Sequence, residues 1–244
     1  GAPGSGQIES EANSLVAATT GTGPFAGSPT PGIWVTDSDA LSITSATTGD
    51  GTIVLIGGGT MNVGTVTAGG TGRNIRISTT TGDIAFGAAS SVSAADDSIL
   101  LNTIGSITDS GTTVKVTATN LQVLGATGVG SALDPLNLDV TNVAGSATAG
   151  SLFLQNVGAI TAAAVGPLFT FTILGLNASG AISVSATDIS STSNLNAGTS
   201  LTLETTGTAG NLAGAINGAT TTLTKNGTGT ITITPLRGNH HDAV

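Results

Sequence analysis

The sequence predicts an all-β fold, and three observations carry that prediction. Short apolar clusters recur along nearly the whole chain, glycine-rich turns separate them, and large aromatic side chains are scarce. The 244 residues are 39% hydrophobic but only 2% aromatic and 8% charged, and 37 of them are glycine. A chain of this length and apolar content can bury a core, so we expect it to fold.

The apolar clusters show the alternation of β-strands. Most of them place apolar residues at every second position, which puts those side chains on one face of a strand. Ile33-Trp34-Val35, Ile75-Arg76-Ile77 and Ile231-Thr232-Ile233 are representative. Turn sequences such as Thr48-Gly49-Asp50-Gly51 separate the clusters at intervals of about 8 to 12 residues. This rhythm predicts many short strands and no helix.

Two architectures share that rhythm. An antiparallel β-sandwich would normally hold several large aromatics in its core, whereas a parallel β-solenoid stacks coils of roughly 20 residues lined with Val, Ile, Leu and Ala. One Trp, five Phe and no Tyr favour the solenoid, and the antiparallel β-sandwich is the alternative. Some ten coils stacked at ~4.8 Å would form a rod about 50 Å long.

The ends of the chain differ in composition from its middle. We expect residues 1–32, rich in Pro, Gly, Ser and Thr, to form an extended N-terminal arm or linker. One strand is predicted within that arm, with Leu15 and Val16 as its largest apolar residues. Residues 33–236 are predicted to form the solenoid domain, and residues 237–244 a C-terminal tail.

Composition also excludes several classes of function. Five Lys and Arg against 14 Asp and Glu give a formal charge of −9, which disfavours binding to nucleic acid or anionic lipid. No apolar run approaches the roughly 20 residues needed to cross a bilayer, so we predict no membrane insertion. Without cysteine, the chain has neither disulfides nor thiolate metal sites. We predict no cofactor.

Several stretches resemble repeats of large bacterial surface proteins. Residues 82–160 resemble the repeats of filamentous-haemagglutinin-type proteins in segments such as Gly82-Asp83-Ile84, Gly105-Ser106-Ile107-Thr108-Asp109 and Leu152-Phe153-Leu154-Gln155-Asn156. Residues 223–233 are similar to the strand repeat found in autotransporter passenger domains. Both resemblances imply a right-handed parallel β-helix at the cell surface, and neither brings catalytic residues with it.

These observations lead to one main functional hypothesis and two alternatives. We expect an extracellular structural protein, a subunit or repeat segment of a surface fibre, sheath or matrix. Copies would form a homo-polymer through head-to-tail contacts, by strand pairing and docking of the arm. An adhesin passenger domain that binds cell-surface glycans is the first alternative. A carbohydrate-active β-helix enzyme is the second, and Arg73 and Arg76 near Asp83 are its only plausible starting point.

Two apolar segments are candidates for assembly contacts. Leu15 and Val16 belong to the arm, and Phe169 and Phe171 belong to the most apolar strand-like segment, Phe169 to Leu174. A core strand is the simpler interpretation of that segment, and an edge that contacts another subunit is the alternative.

Four aspartates form the only dense carboxylate groups. Asp37 with Asp39, and Asp96 with Asp97, are candidate calcium ligands, although their spacing matches no dedicated calcium loop. Turn residues that accept hydrogen bonds from nearby backbone are the simpler interpretation.

Two sequence motifs concern modification and the C-terminal histidines. Asn177 and Asn226 fit the acceptor pattern for N-glycosylation, a pattern that arises often by chance in a chain so rich in Thr and Ser. The pair His240-His241 has no third ligand nearby in sequence, so we predict a tail and no metal site.

Overall fold

The structure is a computed structural model, and it describes residues 7–10, 14–19, 32–207, 209–225 and 230–234. It is an all-β structure whose 23 strands are numbered in chain order. The first twelve strands are β1 Gln7–Ser10, β2 Ser14–Thr19, β3 Gly32–Asp37, β4 Leu41–Thr48, β5 Thr52–Gly57, β6 Met61–Ala68, β7 Ile75–Thr79, β8 Ile84–Thr103, β9 Ser106–Asp109, β10 Val116–Gly125, β11 Gly128–Val129 and β12 Leu136–Ala147. The others are β13 Leu152–Asn156, β14 Ile160–Ala162, β15 Ala164–Leu168, β16 Phe171–Leu174, β17 Leu176–Ala178, β18 Ile182–Ala186, β19 Ile189–Ser191, β20 Leu195–Thr205, β21 Ala209–Ala213, β22 Ile216–Lys225 and β23 Thr230–Thr234.

All strands except β15 and β16 belong to one 21-stranded sheet, in which each recorded pairing is parallel. Each strand pairs with the strand one coil further along the chain, so the sheet winds into a β-solenoid of about eight turns. The predicted all-β solenoid is confirmed, and the antiparallel sandwich is wrong for the described residues. The right-handed sense remains a prediction.

The core consists of ladders of apolar side chains, one from each coil. The longest ladder has eight members, each at most 1% exposed and each the register partner of the next: Leu41, Met61, Ile84, Ile107, Val129, Leu152, Ile182 and Leu201. Identical or similar side chains therefore stack at the strand spacing of about 4.8 Å. Because aliphatic side chains fill this narrow interior, few aromatics are needed.

The coils vary in length. Ile33 pairs with Ile53, 20 positions on, and Ile75 pairs with Ile99, 24 positions on. Gly145 pairs with Leu176, 31 positions on, because a hairpin lies between them. Because many coils are longer than 20 residues, the structure has about eight turns and not ten. Eight turns at the strand spacing give a rod about 40 Å long.

Glycine marks the bend in the middle of a coil. A Cβ built on Gly64 would lie 2.3 Å from the carbonyl oxygen of Ile43 and 2.6 Å from that of Thr44 in the preceding coil. No side chain fits there, because both contacts are with backbone. Close stacking of one coil on the next therefore requires glycine at this position.

Two strands lie in the segment that the sequence predicts to be an extended arm. β1 pairs with β3, from Gln7 opposite Trp34 to Ser10 opposite Asp37, and β2 pairs with β4. Both are parallel, so residues 7–10 and 14–19 add a further layer to the first coil of the same chain. The rest of residues 1–32 and the tail at 237–244 lie outside the described residues.

Candidate assembly surfaces and lateral sites

The first candidate assembly surface is the layer formed by β1 and β2. Among the described residues these strands have partners on one side only. Leu15 and Ala17 are half-buried and pack against the core, while Val16 is 74% exposed and alternates with them. Leu15 thus lies at the end of the apolar interior, and Val16 lies on the outer surface. Of the two assembly residues predicted in this strand, Leu15 and Val16, only Leu15 lies where another coil could stack.

The second candidate surface lies at the opposite end. β22 and β23 pair only with β20 and β21 among the described strands. Ile216 at the start of β22 is partly buried against the core, whereas its register partner Leu195 is 1% exposed. The described core therefore ends in incompletely covered apolar side chains at both ends.

The segment predicted as a core strand instead forms a hairpin outside the coil. β15 and β16 pair antiparallel, and the turn between them contains Phe169 and Thr170, both with positive φ. The core-strand interpretation of residues 169–174 is therefore wrong. The apolar outer face of the sheet explains the outcome, because Val165 and Ile173 share one face of this hairpin and pack against Ala144 and Leu124 there.

Gln122 fixes the hairpin to the coil. Its side chain is fully buried, and Nε2 donates to the carbonyl oxygen of Val165 at 2.5 Å and to that of Phe171 at 3.0 Å. One side chain therefore holds both strands of the hairpin. The register places Gln122 between Leu100 and Ala144 on the outer face, and both are fully buried.

Beside the hairpin, an arginine and a tryptophan share one outer ladder. Trp34 pairs with Val54, and Val54 pairs with Arg76, so the two side chains lie two coils apart, about 10 Å. Trp34 is 47% exposed, and the Arg76 guanidinium lies 5.7 Å from the centroid of the Phe171 ring. Arg76 also donates from Nε to Ser78 Oγ. Burial lowers the pKa of Arg76, and no carboxylate among the described residues pairs with it.

The other residues suggested for enzyme chemistry do not converge. Arg73 Nε lies 2.6 Å from Asp50 Oδ1, and this hydrogen bond lowers the pKa of Asp50 and raises that of Arg73. Asp83 Oδ1 accepts a hydrogen bond from the backbone N–H of Ser106. Arg73 and Asp83 thus have separate partners.

Of the calcium candidates, Asp37 ends β3 and Asp39 lies in the bend after it, whereas Asp96 and Asp97 lie within β8. Asp37 is buried, and its Oδ1 accepts from the backbone N–H of Asp39, which is exposed. Asp97 accepts from the backbone N–H groups of Gly72 and Arg73, at 2.7 Å each, in the preceding coil. Asp96 is exposed. Among the described residues, no three acidic, histidine or cysteine side chains are grouped as a metal would need.

Asn177 belongs to an asparagine ladder. Asn196 donates to its Oδ1 at 2.6 Å, Asn217 donates to Asn196 at 2.8 Å, and Asn177 Nδ2 donates to the carbonyl oxygen of Leu174. The nitrogen that would carry a glycan is therefore already a donor. The second candidate, Asn226, lies outside the described residues, as do His240 and His241.

A shallow groove of about 440 Å³ crosses four coils on the outer surface. Ser42, Asn62, Ala85 and Thr108 are successive register partners along it. Its one aromatic lining residue, Phe86, is 2% exposed. The groove therefore offers polar contacts but no aromatic platform for a sugar ring.

Sequence reasoning missed a buried pair of opposite charge, Asp109 and Lys115, whose side chains are both 0% exposed. The strand register shows that Asp109 is unusual. Asp109 occupies the position that Ile43, Val63 and Phe86 occupy in the three preceding coils. A carboxylate at a position that is apolar in three earlier coils indicates a specific partner.

Taken together, these features define a parallel β-solenoid with an antiparallel side hairpin and incompletely covered apolar ends in its described part. No helix in that part is long and apolar enough to cross a membrane. Comparisons with known protein families, with curated proteins and with solved structures found no match.

Proposed function

We propose that this chain is a rod-shaped structural segment of an extracellular fibre, sheath or matrix, and that copies of it stack end to end. The observation that carries the proposal is the state of the two ends. In the described residues, each end presents strands with partners on one side only and half-covered apolar residues, Leu15 and Ala17 at one end and Ile216 at the other.

Stacking would continue both kinds of interaction that hold the coil together. Unpaired backbone N–H and C=O groups at a strand edge favour pairing with another strand, and uncovered apolar side chains favour burial at about 25 cal/mol per Å². A second copy would supply parallel strands that can pair at the same spacing of about 4.8 Å. The contact is head-to-tail, so repetition of it produces a filament.

Composition and resemblance support the extracellular setting. The chain has few charges and repeats that resemble those of filamentous-haemagglutinin-type surface proteins. Continuous backbone hydrogen bonding between coils and an apolar interior would make the rod stiff, and this role needs no catalytic residue. The shape itself would be the function.

The test measures assembly directly. We expect the purified chain to form filaments on concentration, detected by light scattering and negative-stain electron microscopy. Leu15→Lys, which places a charge at the end of the apolar interior, should raise the concentration needed for assembly by at least tenfold. Ala18→Lys, on the exposed outer face of the same strand, is the matched control and should assemble normally.

Circular dichroism melting of both variants separates a folding defect from an assembly defect. Wild-type rods that stay monomeric at every concentration would overturn the proposal. Equal assembly of Leu15→Lys and Ala18→Lys would also overturn it, because the apolar end would then make no contribution.

A second candidate function, binding of acidic glycans, is favoured by the lateral pair Trp34 and Arg76. A half-buried guanidinium without a carboxylate partner in the described residues suits a ligand carboxylate, and an exposed indole nearby suits a sugar ring. Trp34 is the only tryptophan, so its fluorescence reports this site alone. A polyuronate oligosaccharide should change the emission of the wild type and not of Arg76→Gln. An equal response to a neutral oligosaccharide of the same length would exclude the hypothesis.

A further inference from the structure

The corner between β9 and β10 buries an amine and a carboxylate together. Lys115 Nζ donates to the carbonyl oxygen of Ala88 and to Thr113 Oγ1, both at 2.8 Å. It lies 3.7 Å from Asp109 Oδ1, and both side chains are 0% exposed. Neither the proposed stacking nor the lateral site uses this pair.

The two oxygens of Asp109 have different surroundings. Oδ2 accepts two hydrogen bonds from Asn137, from the backbone N–H at 3.1 Å and from Nδ2 at 2.9 Å. Oδ1, the oxygen that faces Lys115, is buried without a hydrogen-bond partner. The carboxylate is thus held on one side and unsatisfied on the other.

The geometry is unfavourable for a stable ion pair. Charge-assisted N–H···O contacts are normally about 2.7–2.9 Å, and the 3.7 Å separation is well beyond that. Burying both charges carries a desolvation penalty that only close pairing and full hydrogen bonding offset. Condensation of the two groups would remove both charges and the unsatisfied oxygen at once.

We propose that Lys115 and Asp109 condense into an intramolecular amide bond between Nζ and Cγ. One proton first passes from the ammonium group to Oδ1, which leaves a neutral amine and a carboxylic acid. The Nζ lone pair then attacks Cγ, and negative charge develops on Oδ2. A second proton moves from Nζ to the Oδ1 hydroxyl, the Cγ–Oδ1 bond breaks, and one water leaves.

Neighbouring residues have defined parts in this reaction. The two donors of Asn137 point at the oxygen on which charge develops, which is the arrangement of an oxyanion hole. Asn137 Nδ2 also donates to the carbonyl oxygens of Gly111 and Pro135, which fix its orientation. Thr113 Oγ1 and the Ala88 carbonyl hold Nζ beside the carboxyl group, so the reactants are already in place.

The product would be a covalent link at one corner of the rod. It joins Asp109, at the end of β9, to Lys115, the residue before β10. The backbone N–H of Lys115 donates to the carbonyl oxygen of Asn137 in the next coil. Neither an oxidant nor a cofactor is required, because the reaction is a dehydration within the folded chain.

Mass spectrometry of the intact wild-type protein tests the proposal. We expect a mass lower than that of the sequence by one water. After denaturation and complete trypsin digestion, the chain should not be cleaved after Lys115, because its amine is acylated. A fragment of residues 77–225 would then replace fragments 77–115 and 116–225. Lys115→Arg should restore both the full mass and the cleavage.

Three outcomes would overturn the proposal. Full mass with cleavage after Lys115 would show that the pair stays ionic. Loss of one water with cleavage after Lys115 would show a cyclised aspartate and no crosslink. Loss of one ammonia without cleavage would assign the bond to Asn137 and not to Asp109. Because the wild type carries the decisive measurement, poor folding of a variant does not affect the result.

Discussion

The side-chain amide of Asn156 pairs with both backbone groups of Val140. Oδ1 accepts from the Val140 N–H at 2.9 Å, and Nδ2 donates to the Val140 carbonyl at 3.1 Å. Nδ2 also bonds the carbonyl oxygens of Gly158 and Ala159. β13 pairs with residues 136–138 of β12 and β14 pairs with residues 142–143, so Val140 lies in the gap between them and the Asn156 amide takes the place of a strand partner there.

We therefore expect Asn156→Ala to destabilise the fold by about 2–4 kcal/mol, since it leaves buried backbone groups unpaired. Urea unfolding followed by circular dichroism measures the change. Asn62→Ala is the control, because Asn62 is exposed and makes one long bond to Ser42 at 3.5 Å. Equal losses in the two variants would contradict the assigned role of Asn156.

The bend at Gly64 gives a steric prediction. Gly64→Ala would place a Cβ against two backbone carbonyls of the preceding coil, and we expect a loss of about 1–3 kcal/mol or more. Gly158→Ala should be nearly neutral, because a Cβ at Gly158 would meet no atom within 4 Å beyond its chain neighbours. Thermal melting of both variants makes the comparison, and similar melting temperatures would refute the close-stacking argument.

Gln122 gives a prediction about the hairpin. Gln122→Ala removes both hydrogen bonds to the hairpin backbone, so we expect β15 and β16 to open more often. Chymotrypsin should then cleave at Phe169 or Phe171 several-fold faster than in the wild type. Gln155→Ala, which changes an exposed glutamine, is the matched control. Unchanged cleavage in Gln122→Ala would show that apolar packing alone holds the hairpin.

The Asp50–Arg73 pair predicts a small acid dependence of stability. The hydrogen bond from Arg73 lowers the folded-state pKa of Asp50, so the pair contributes stability at pH values above the ordinary pKa of Asp. This contribution is lost as the pH falls through the lowered value. The effect should be small and salt-sensitive, because the pair lies near the surface.

The measurement compares the urea midpoints of the wild type and Asp50→Asn from neutral to acid pH. The difference between them should shrink as the pH falls. A constant difference would show that Asp50 acts through packing and not through its charge.

Local patterns in the sequence determined the strands and the class of fold. Alternation in segments such as Ile75-Arg76-Ile77 depends only on neighbouring residues, because side chains of a strand point to opposite faces in turn. The scarcity of aromatics separated a solenoid from a sandwich, because stacked aliphatic ladders fill a narrow interior. Leu15 was likewise predicted as an assembly residue from its apolar segment alone, and its role in assembly stays a prediction.

Only the tertiary structure decided which residues meet across coils. Coil lengths vary, as the separations of Ile33 from Ile53 and of Gly145 from Leu176 show, so register cannot be read from a fixed period. The hairpin at 164–174 has the same alternation as a coil strand, and only the apolar outer face beneath it decides where it packs. Lys115 and Asp109 likewise come together only because the chain turns between β9 and β10, and the local sequence does not show this contact.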